Sequence, residues 1–147
     1  FLGDRDLAQL PSLAAAAGQA YRAAGIDDPA SAFDLAEVAD ATPHQELLAY
    51  EGLALCARRD WIARVADGHF AAGGRVPVNL SGGALAYNPI YCTGLVRIAE
   101  AANQIRGRAG NHQVQDAKCV VAHAASGFAM QYNTVAVMGR DAERARP

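Results

Sequence analysis

Apolar positions along this chain recur with two different periods. Leu13, Ala16, Ala17, Ala20, Tyr21 and Ala24 form a helical stripe closed by Gly25, which predicts a helix over Pro11 to Ala24. Phe33 to Val38 is a short apolar run and predicts a buried strand. Pro43 suits the first turn of a second helix reaching about Ala57, with Leu47, Tyr50 and Ala54 on one face. A further helix is predicted over Trp61 to Phe70, broken by Gly73-Gly74, and Val76 to Leu80 reads as a strand. Leu95, Ile98, Ala99, Ala102 and Ile105 mark a helix ending near Gly107. Lys118 to Ala122 and Phe128 to Met138 read as two final strands. Strands separated by helices imply crossover units and a largely parallel sheet covered on both faces, an α/β architecture.

The stretch from Val78 to Gly94 is the most punctuated. It runs as a short strand, then Ser81-Gly82-Gly83, then Asn88-Pro89, then Thr93-Gly94 opening a helix. Glycine permits positive φ and close backbone approach, and proline is tolerated in a first helical turn. Such a turn carries helix-N-terminal amides toward whatever Asn88 and Tyr91 face, a setting that suits an anion or a carbonyl oxygen.

Composition narrows the function classes. A chain of 147 residues with 52% apolar and 19% charged residues is long enough for one domain with a real core. The predicted domain is 1–141, with 142–147 as a frayed tail. The net charge of −2 gives no basic footprint for nucleic acid. No apolar run approaches the roughly 18 residues that span a bilayer. Asp4, Arg5 and Asp6 interrupt the first ten residues, so no signal peptide is expected there. Phe1 in place of an initiator methionine suggests that the native start lies upstream. Cys56, Cys92 and Cys119 are odd in number and widely spaced, which points to reduced thiols in a cytoplasmic protein and to no metal site.

The punctuated loop resembles the thiolases. That family carries an asparagine, Ser-Gly-Gly or Asn-Gly-Gly, a few small residues, Gly-His-Pro, and a Ser/Thr-Gly pair opening a helix. Asn79, Ser81-Gly82-Gly83, Pro89 and Thr93-Gly94 stand in register with it. Asn88 stands where the family has its catalytic histidine, Tyr87 precedes it, Tyr91 replaces a glycine, and the loop is about one residue shorter. The resemblance extends to Ala20–Ile26, to Phe33–Val38, to Gln45 through Cys56 in the manner of the sterol-carrier-type branch, and to Val121-Ala122-His123 followed by Ser126-Gly127-Phe128. Their order is similar to the C-terminal half of a thiolase. It implies a mostly parallel, five-stranded-type sheet with helices on both faces.

That resemblance implies chemistry at a carbon–carbon bond beside a coenzyme A thioester. The family uses an acylated cysteine, a second acid/base and two oxyanion holes. None of the three cysteines here falls on the nucleophile's motif, which belongs to the N-terminal half. The oxyanion-hole motif maps onto Ala39-Asp40-Ala41-Thr42. Ala39 lacks a side-chain donor, and Asp40 keeps the acidic position or serves as a structural carboxylate capping the next helix. His123 stands on the last motif and, with an ordinary pKa of about 6.5, would exchange a proton near neutrality. Asn88 can donate to an oxyanion but cannot shuttle protons. Tyr87 and Tyr91 resemble the tyrosines of thiolase-like aldolases of sterol side-chain breakdown, or else fill space. A phenol acts as general acid or oxyanion donor once its pKa is lowered. The implied catalytic set is His123, Asn88, Tyr87 and Tyr91. The glycines Gly82 and Gly83 and the pair Ser126-Gly127 are the implied contacts for the coenzyme A thioester. That thioester is a substrate, and no cofactor is expected to be bound by this chain. His44, His69 and His112 are given no role.

The expected activity is therefore that of an altered thiolase or acyltransferase, or a retro-aldolase. The alternatives are a degenerate subunit that completes a fold and a module that binds acyl-CoA. An N-terminal thiolase-like half, from the same gene or a second chain, is the expected partner, followed by dimerisation. The resemblance to the aldolase branch further implies a small OB-fold partner bearing zinc. No nucleic-acid or membrane partner is expected.

Overall fold

The computed structural model describes residues 6–87 and 89–140. The predicted tail, residues 142–147, lies outside the described residues. In chain order the elements are α1 (Pro11–Ala24), α2 (Pro29–Ala32), β1 (Leu35–Glu37), α3 (Pro43–Gly52), α4 (Trp61–Ala66), α5 (Gly83–Ala86), α6 (Thr93–Ile105), β2 (Cys119–Ser126) and β3 (Tyr132–Gly139). Short 3₁₀ turns lie at Arg58–Asp60, Gly110–His112 and Phe128–Met130.

The sheet of the described residues has the order β1-β2-β3. β1 runs parallel to β2, with Ala36 opposite Val121, and β2 runs antiparallel to β3, with Ala122 opposite Ala136. A mostly parallel, five-stranded-type sheet was expected, whereas the described sheet is three-stranded and mixed. Val76 to Leu80 contributes only a parallel bridge of Val78 to Ala36. Pro77 has no N–H to give a ladder, and Asn79 turns away with φ +53°. The backbone still closes around Ala36, whose N–H donates to Pro77 O and whose carbonyl accepts from Asn79 N, each at 2.9 Å.

Helices cover both faces. Side chains alternate across a strand, so Val121 and Val120 face opposite ways. Val121, Val135 and Val137 pack with Leu13, Ala17 and Tyr21 of α1, and with Phe33, Leu48 and Leu53. Leu35, Val120, Ala122 and Met138 pack with Ala101, Ile98 and Ile105 of α6. The stripe read for α1 is the buried one, and Gly25 ends the helix at φ +65°. α3 stops earlier than predicted, at Gly52. A Cβ there would lie 2.7 Å from Leu13 Cδ2, so α1 and α3 meet too closely for a side chain. Trp61 to Phe70 shortens to α4, which buries no residue fully and of which only Trp61 packs against the core.

The inward face of α6 carries Arg97, Ala101 and Gln104. Arg97 is 1% exposed, and its Nη1 donates to Glu37 Oε2 at 3.2 Å and to Ser81 Oγ at 3.1 Å. Glu37, itself fully buried on β1, also accepts from Ser81 N at 3.2 Å and Ser81 Oγ at 2.6 Å. One buried ion pair thus ties β1, the Ser81 turn and α6 together. Removing one partner of such a pair leaves an uncompensated buried charge. Arg97→Met should therefore lower the unfolding free energy by about 3–5 kcal/mol, read from urea denaturation of the assembled protein. A loss below about 1 kcal/mol would show that the pair does not hold these elements.

Candidate active site

The loop after Val78 is held by carboxylates at the end of β1. Glu37 grips Ser81 as described. Three residues on, Asp40 is 4% exposed, and its Oδ1 accepts from Ala84 N at 2.7 Å. A Cβ on Gly83 would lie 1.8 Å from Asp40 Oδ2, so only glycine fits there, and Gly83 also has φ +61°. Asp40 was expected to cap the next helix if it were structural. It holds α5 instead, and α3 is capped by Thr42, whose Oγ1 accepts from Gln45 N at 3.2 Å. Tyr87 follows directly, its N–H donating to Gly83 O at 3.1 Å.

Asn79 anchors the other side of the turn. Its Oδ1 accepts from Val38 N at 2.7 Å, and its Nδ2 donates to Glu46 Oε2 at 3.4 Å. Glu46 Oε1 also accepts from the Tyr50 hydroxyl. Burial, then this carboxylate, raises the Tyr50 phenol well above its ordinary value. Burial likewise pushes the Glu37 carboxyl up, while the Ser81 donors and Arg97 pull it back.

The predicted catalytic residues fall in different settings. Tyr87 is 60% exposed and Tyr91 is 97% exposed. Asn88, between them in the chain, lies outside the described residues. Gly94, at the start of α6, packs on Ala124, where an added Cβ would lie 2.6 Å from the Ala124 Cβ. The loop before α6 therefore reaches the α6 side of β2. His123 faces the other side. It is fully buried, with Nδ1 accepting from Ala39 N at 3.4 Å and Nε2 donating to Asn133 Oδ1 at 2.8 Å. The backbone N–H at Ala39 assigns the proton to Nε2. Asn133 passes the network on through Nδ2 to Ser12 Oγ at 2.8 Å and to Met130 O at 2.9 Å.

An ordinary pKa for His123 was expected, and the structure corrects this. Burial pulls it down, opposed by the Asn133 hydrogen bond. A second proton would also set Nδ1–H against the Ala39 N–H. His123 is thus a neutral imidazole with both ring nitrogens engaged.

Gly82, at φ +91°, is exposed, while Gly83 is buried against Asp40. Ser126 and Gly127 lie exposed at the end of β2, where Ser126 pairs with Tyr132 and Gly127 has φ +75°. A Cβ on Gly127 would lie 2.6 Å from the Tyr132 ring. Four exposed aromatic side chains, Tyr87, Tyr91, Phe128 and Tyr132, stand on the loop before α6, on the β2–β3 connection and at the start of β3. The sequence reading missed Glu37, Arg97 and Asn133. Two of these carried a signal, a charged residue inside the apolar run of β1 and another inside the span of the predicted α6, beside its apolar positions. A separate cavity of about 510 Å³ lies between Gly73-Gly74-Arg75 and residues 111–115, and contains none of the predicted site residues.

A mixed sheet between helices, with a Ser-Gly-Gly turn clamped at the end of its first strand, defines the C-terminal half of a thiolase-type α/β protein. The comparisons agree. Residues 2–140 match the thiolase C-terminal domain-like family, and the chain belongs to it. It is 38% identical over 109 residues to sterol carrier protein 2 of Rattus norvegicus, covering 74% of this chain and 20% of that protein. It is 32% identical over 120 residues to an acetyl-CoA acetyltransferase of Methanothermobacter thermautotrophicus, covering 81% of this chain and 31% of the relative. Among solved structures, an Ltp2-ChsH2(DUF35) aldolase superposes with a TM-score of 0.76 at 28% identity, covering 90% of this chain and 33% of that one. The chain thus spans a fifth to a third of the length of these relatives.

Because His123 folds as a neutral group with a pKa below its unfolded value, its contribution to stability is full above about pH 6.5. That contribution is lost as pH falls through the folded-state value. Urea midpoints of the assembled protein should drop between about pH 7 and pH 5, and His123→Asn should flatten this part of the profile. A wild-type profile no steeper than that of the variant would contradict the assignment.

Proposed function

We propose that this chain is the C-terminal half of a thiolase-like enzyme that cleaves or forms a carbon–carbon bond in an acyl-CoA by aldol chemistry. The observation that carries this reading is the contrast between two kinds of candidate acid/base. Tyr87 and Tyr91 present exposed phenols on the clamped loop, whereas His123 is buried, neutral and engaged at both nitrogens. Ordinary thiolysis needs a proton-shuttling imidazole where this chain has Asn88. The likeness to an aldolase of the same fold supports the choice.

In this reading a 3-hydroxyacyl-CoA lies along the loop. One tyrosine, as its phenolate, takes the hydroxyl proton, the Cα–Cβ bond breaks, and a carbonyl product leaves. The bonding pair moves into the thioester as an enolate. The Asn88 amide stabilises the enolate oxygen, and the proton now held by the phenol passes to Cα, which gives the shortened acyl-CoA and restores the phenolate. No acyl-enzyme forms, so no cysteine of this chain takes part. His123 holds Ala39 and Asn133 in place. Gly82, Ser126 and Gly127 border the thioester. Tyr87→Phe or Tyr91→Phe should cut turnover by about 100-fold or more, measured as carbonyl release from 3-hydroxyacyl-CoA thioesters by the assembled enzyme. If both variants keep the wild-type rate, the aldol mechanism is wrong. Thiolysis restored by Asn88→His would favour the altered-thiolase reading instead, and wild-type inactivity on both substrate types would favour a degenerate subunit.

The same reading includes a partner. Leu95 is 67% exposed, Ala99 is exposed and Ala102 half-buried, and these lie one above another on the outer face of α6. β3 lies at the edge of the described sheet, and its α6-side residue Thr134 is exposed. An N-terminal thiolase-like half, in the same protein or a second chain, covers this stripe, with dimerisation beyond it. A zinc-bearing OB-fold partner belongs to the same proposal. Leu95→Asp should weaken association of the two halves by at least about tenfold, as measured by calorimetry or co-elution. A monodisperse, cooperatively unfolding monomer of this chain alone would overturn the partner assignment.

A further inference from the structure

We propose that Asp40 is a positioning residue that sets the place of the Tyr87 phenol; this rests on the tyrosine reading of the active site. Asp40 follows β1 by three residues and is 4% exposed. Its two carboxylate oxygens act on adjacent residues of the loop. Oδ1 accepts the Ala84 N–H at 2.7 Å. Oδ2 occupies the space beside Gly83, where a Cβ would lie 1.8 Å away. The loop can approach this carboxylate only because position 83 has no side chain.

From that contact to Tyr87 the chain has little freedom. Ala86 N donates to Gly82 O and Tyr87 N donates to Gly83 O, each at 3.1 Å. These bonds close α5 as a single turn, so the position of Gly83 and Ala84 fixes where Tyr87 emerges. α5 buries only Gly83 and is too short to hold its own shape. The Tyr87 ring is 60% exposed and gains little placement from packing. The orientation of its hydroxyl therefore depends on the backbone beneath it, and that backbone is tied to the sheet through Asp40. Glu37 secures Ser81 further upstream, leaving Asp40 as the side-chain tie nearest the tyrosine among the described residues.

A displacement of about 1 Å in a reacting group can cost about 100-fold in rate. Asp40→Ala should lower kcat by about 10- to 100-fold while changing KM by less than about twofold. Asp40→Asn keeps an oxygen for the Ala84 N–H and should recover most of that loss. The deciding measurement is a double-mutant cycle with Tyr87→Phe in the full-length assembled enzyme, using carbonyl release from a panel of 3-hydroxyacyl-CoA thioesters. If Asp40 acts through Tyr87, Asp40→Ala costs little further kcat once the hydroxyl is gone. Equal, additive losses in both backgrounds would overturn the proposal, because a general structural role does not depend on the Tyr87 hydroxyl. Should Asp40→Ala fail to fold, Asp40→Glu completes the cycle, since it keeps the charge and shifts the carboxylate by one methylene. A silent Asp40→Ala beside a costly Tyr87→Phe sinks this proposal alone. A silent Tyr87→Phe beside a costly Tyr91→Phe also sinks this proposal alone, whereas two silent variants sink the tyrosine reading and the proposal with it.

Discussion

The buried ion pair of Glu37 and Arg97 is the contact through which the functional end of this fold is assembled. Glu37 is on the first strand and Arg97 on α6, with Ser81 bonded to both. Burying two charges is expensive, and their attraction repays it only when further hydrogen bonds complete the set. Ser81 supplies those bonds with its N–H and its hydroxyl. A serine in a glycine-rich turn thus becomes part of the core, and the turn is attached to the sheet rather than left as a surface loop. Among the described residues Arg97 Nε has no partner, so the pair is not fully satisfied there. Replacement by well-packed apolar residues would remove that cost. The ion pair, by contrast, fixes one register of strand, turn and helix.

Asp40 and His123 extend the same logic from neighbouring positions. Both lie at the end of the β1–β2 pair, and both bond backbone amides from distant segments. Asp40 takes an amide of α5, and His123 takes the amide of Ala39. Between them, Ala39 and Asp40 are held from two sides. The chain here is a junction of polar groups inside an apolar core, with Asp40 Oδ1 and both His123 ring nitrogens engaged. Such a junction is rigid, which suits a site that must present groups at fixed places.

The thiolase C-terminal framework is retained. The Ser-Gly-Gly turn, the helix that follows and the mixed sheet all lie within the stretch that matches the family. The phenols of Tyr87 and Tyr91 stand exposed where the loop leaves that framework. Their exposure in this chain, and that of the Leu95 and Ala99 stripe, is consistent with a unit that spans about a third of its solved relative. What a shared framework supports chemically is decided by the few groups mounted on it.

Local pattern was enough to read α1, the position of β1, the hairpin region and the loop that carries the candidate site. These depend on helical periodicity and on glycine and proline at defined places, which act over a few residues. The same information overran α3 and α4 and gave Val76 to Leu80 as a strand. In the fold, Leu13 closes on Gly52 where α3 stops, only Trp61 of α4 packs against the core, and Pro77 has no N–H to give a ladder. Asp40 was legible as a carboxylate at a capping position, but its partner lies 44 residues away. His123 was legible as a titratable group on a motif, but its amide partner lies 84 residues away, and its neutrality follows from burial. The sequence by itself determined which residues were available for chemistry. Tertiary structure alone decided which of them face water and which are spent on holding the fold, because desolvation and long-range hydrogen bonds exist only once distant segments have met.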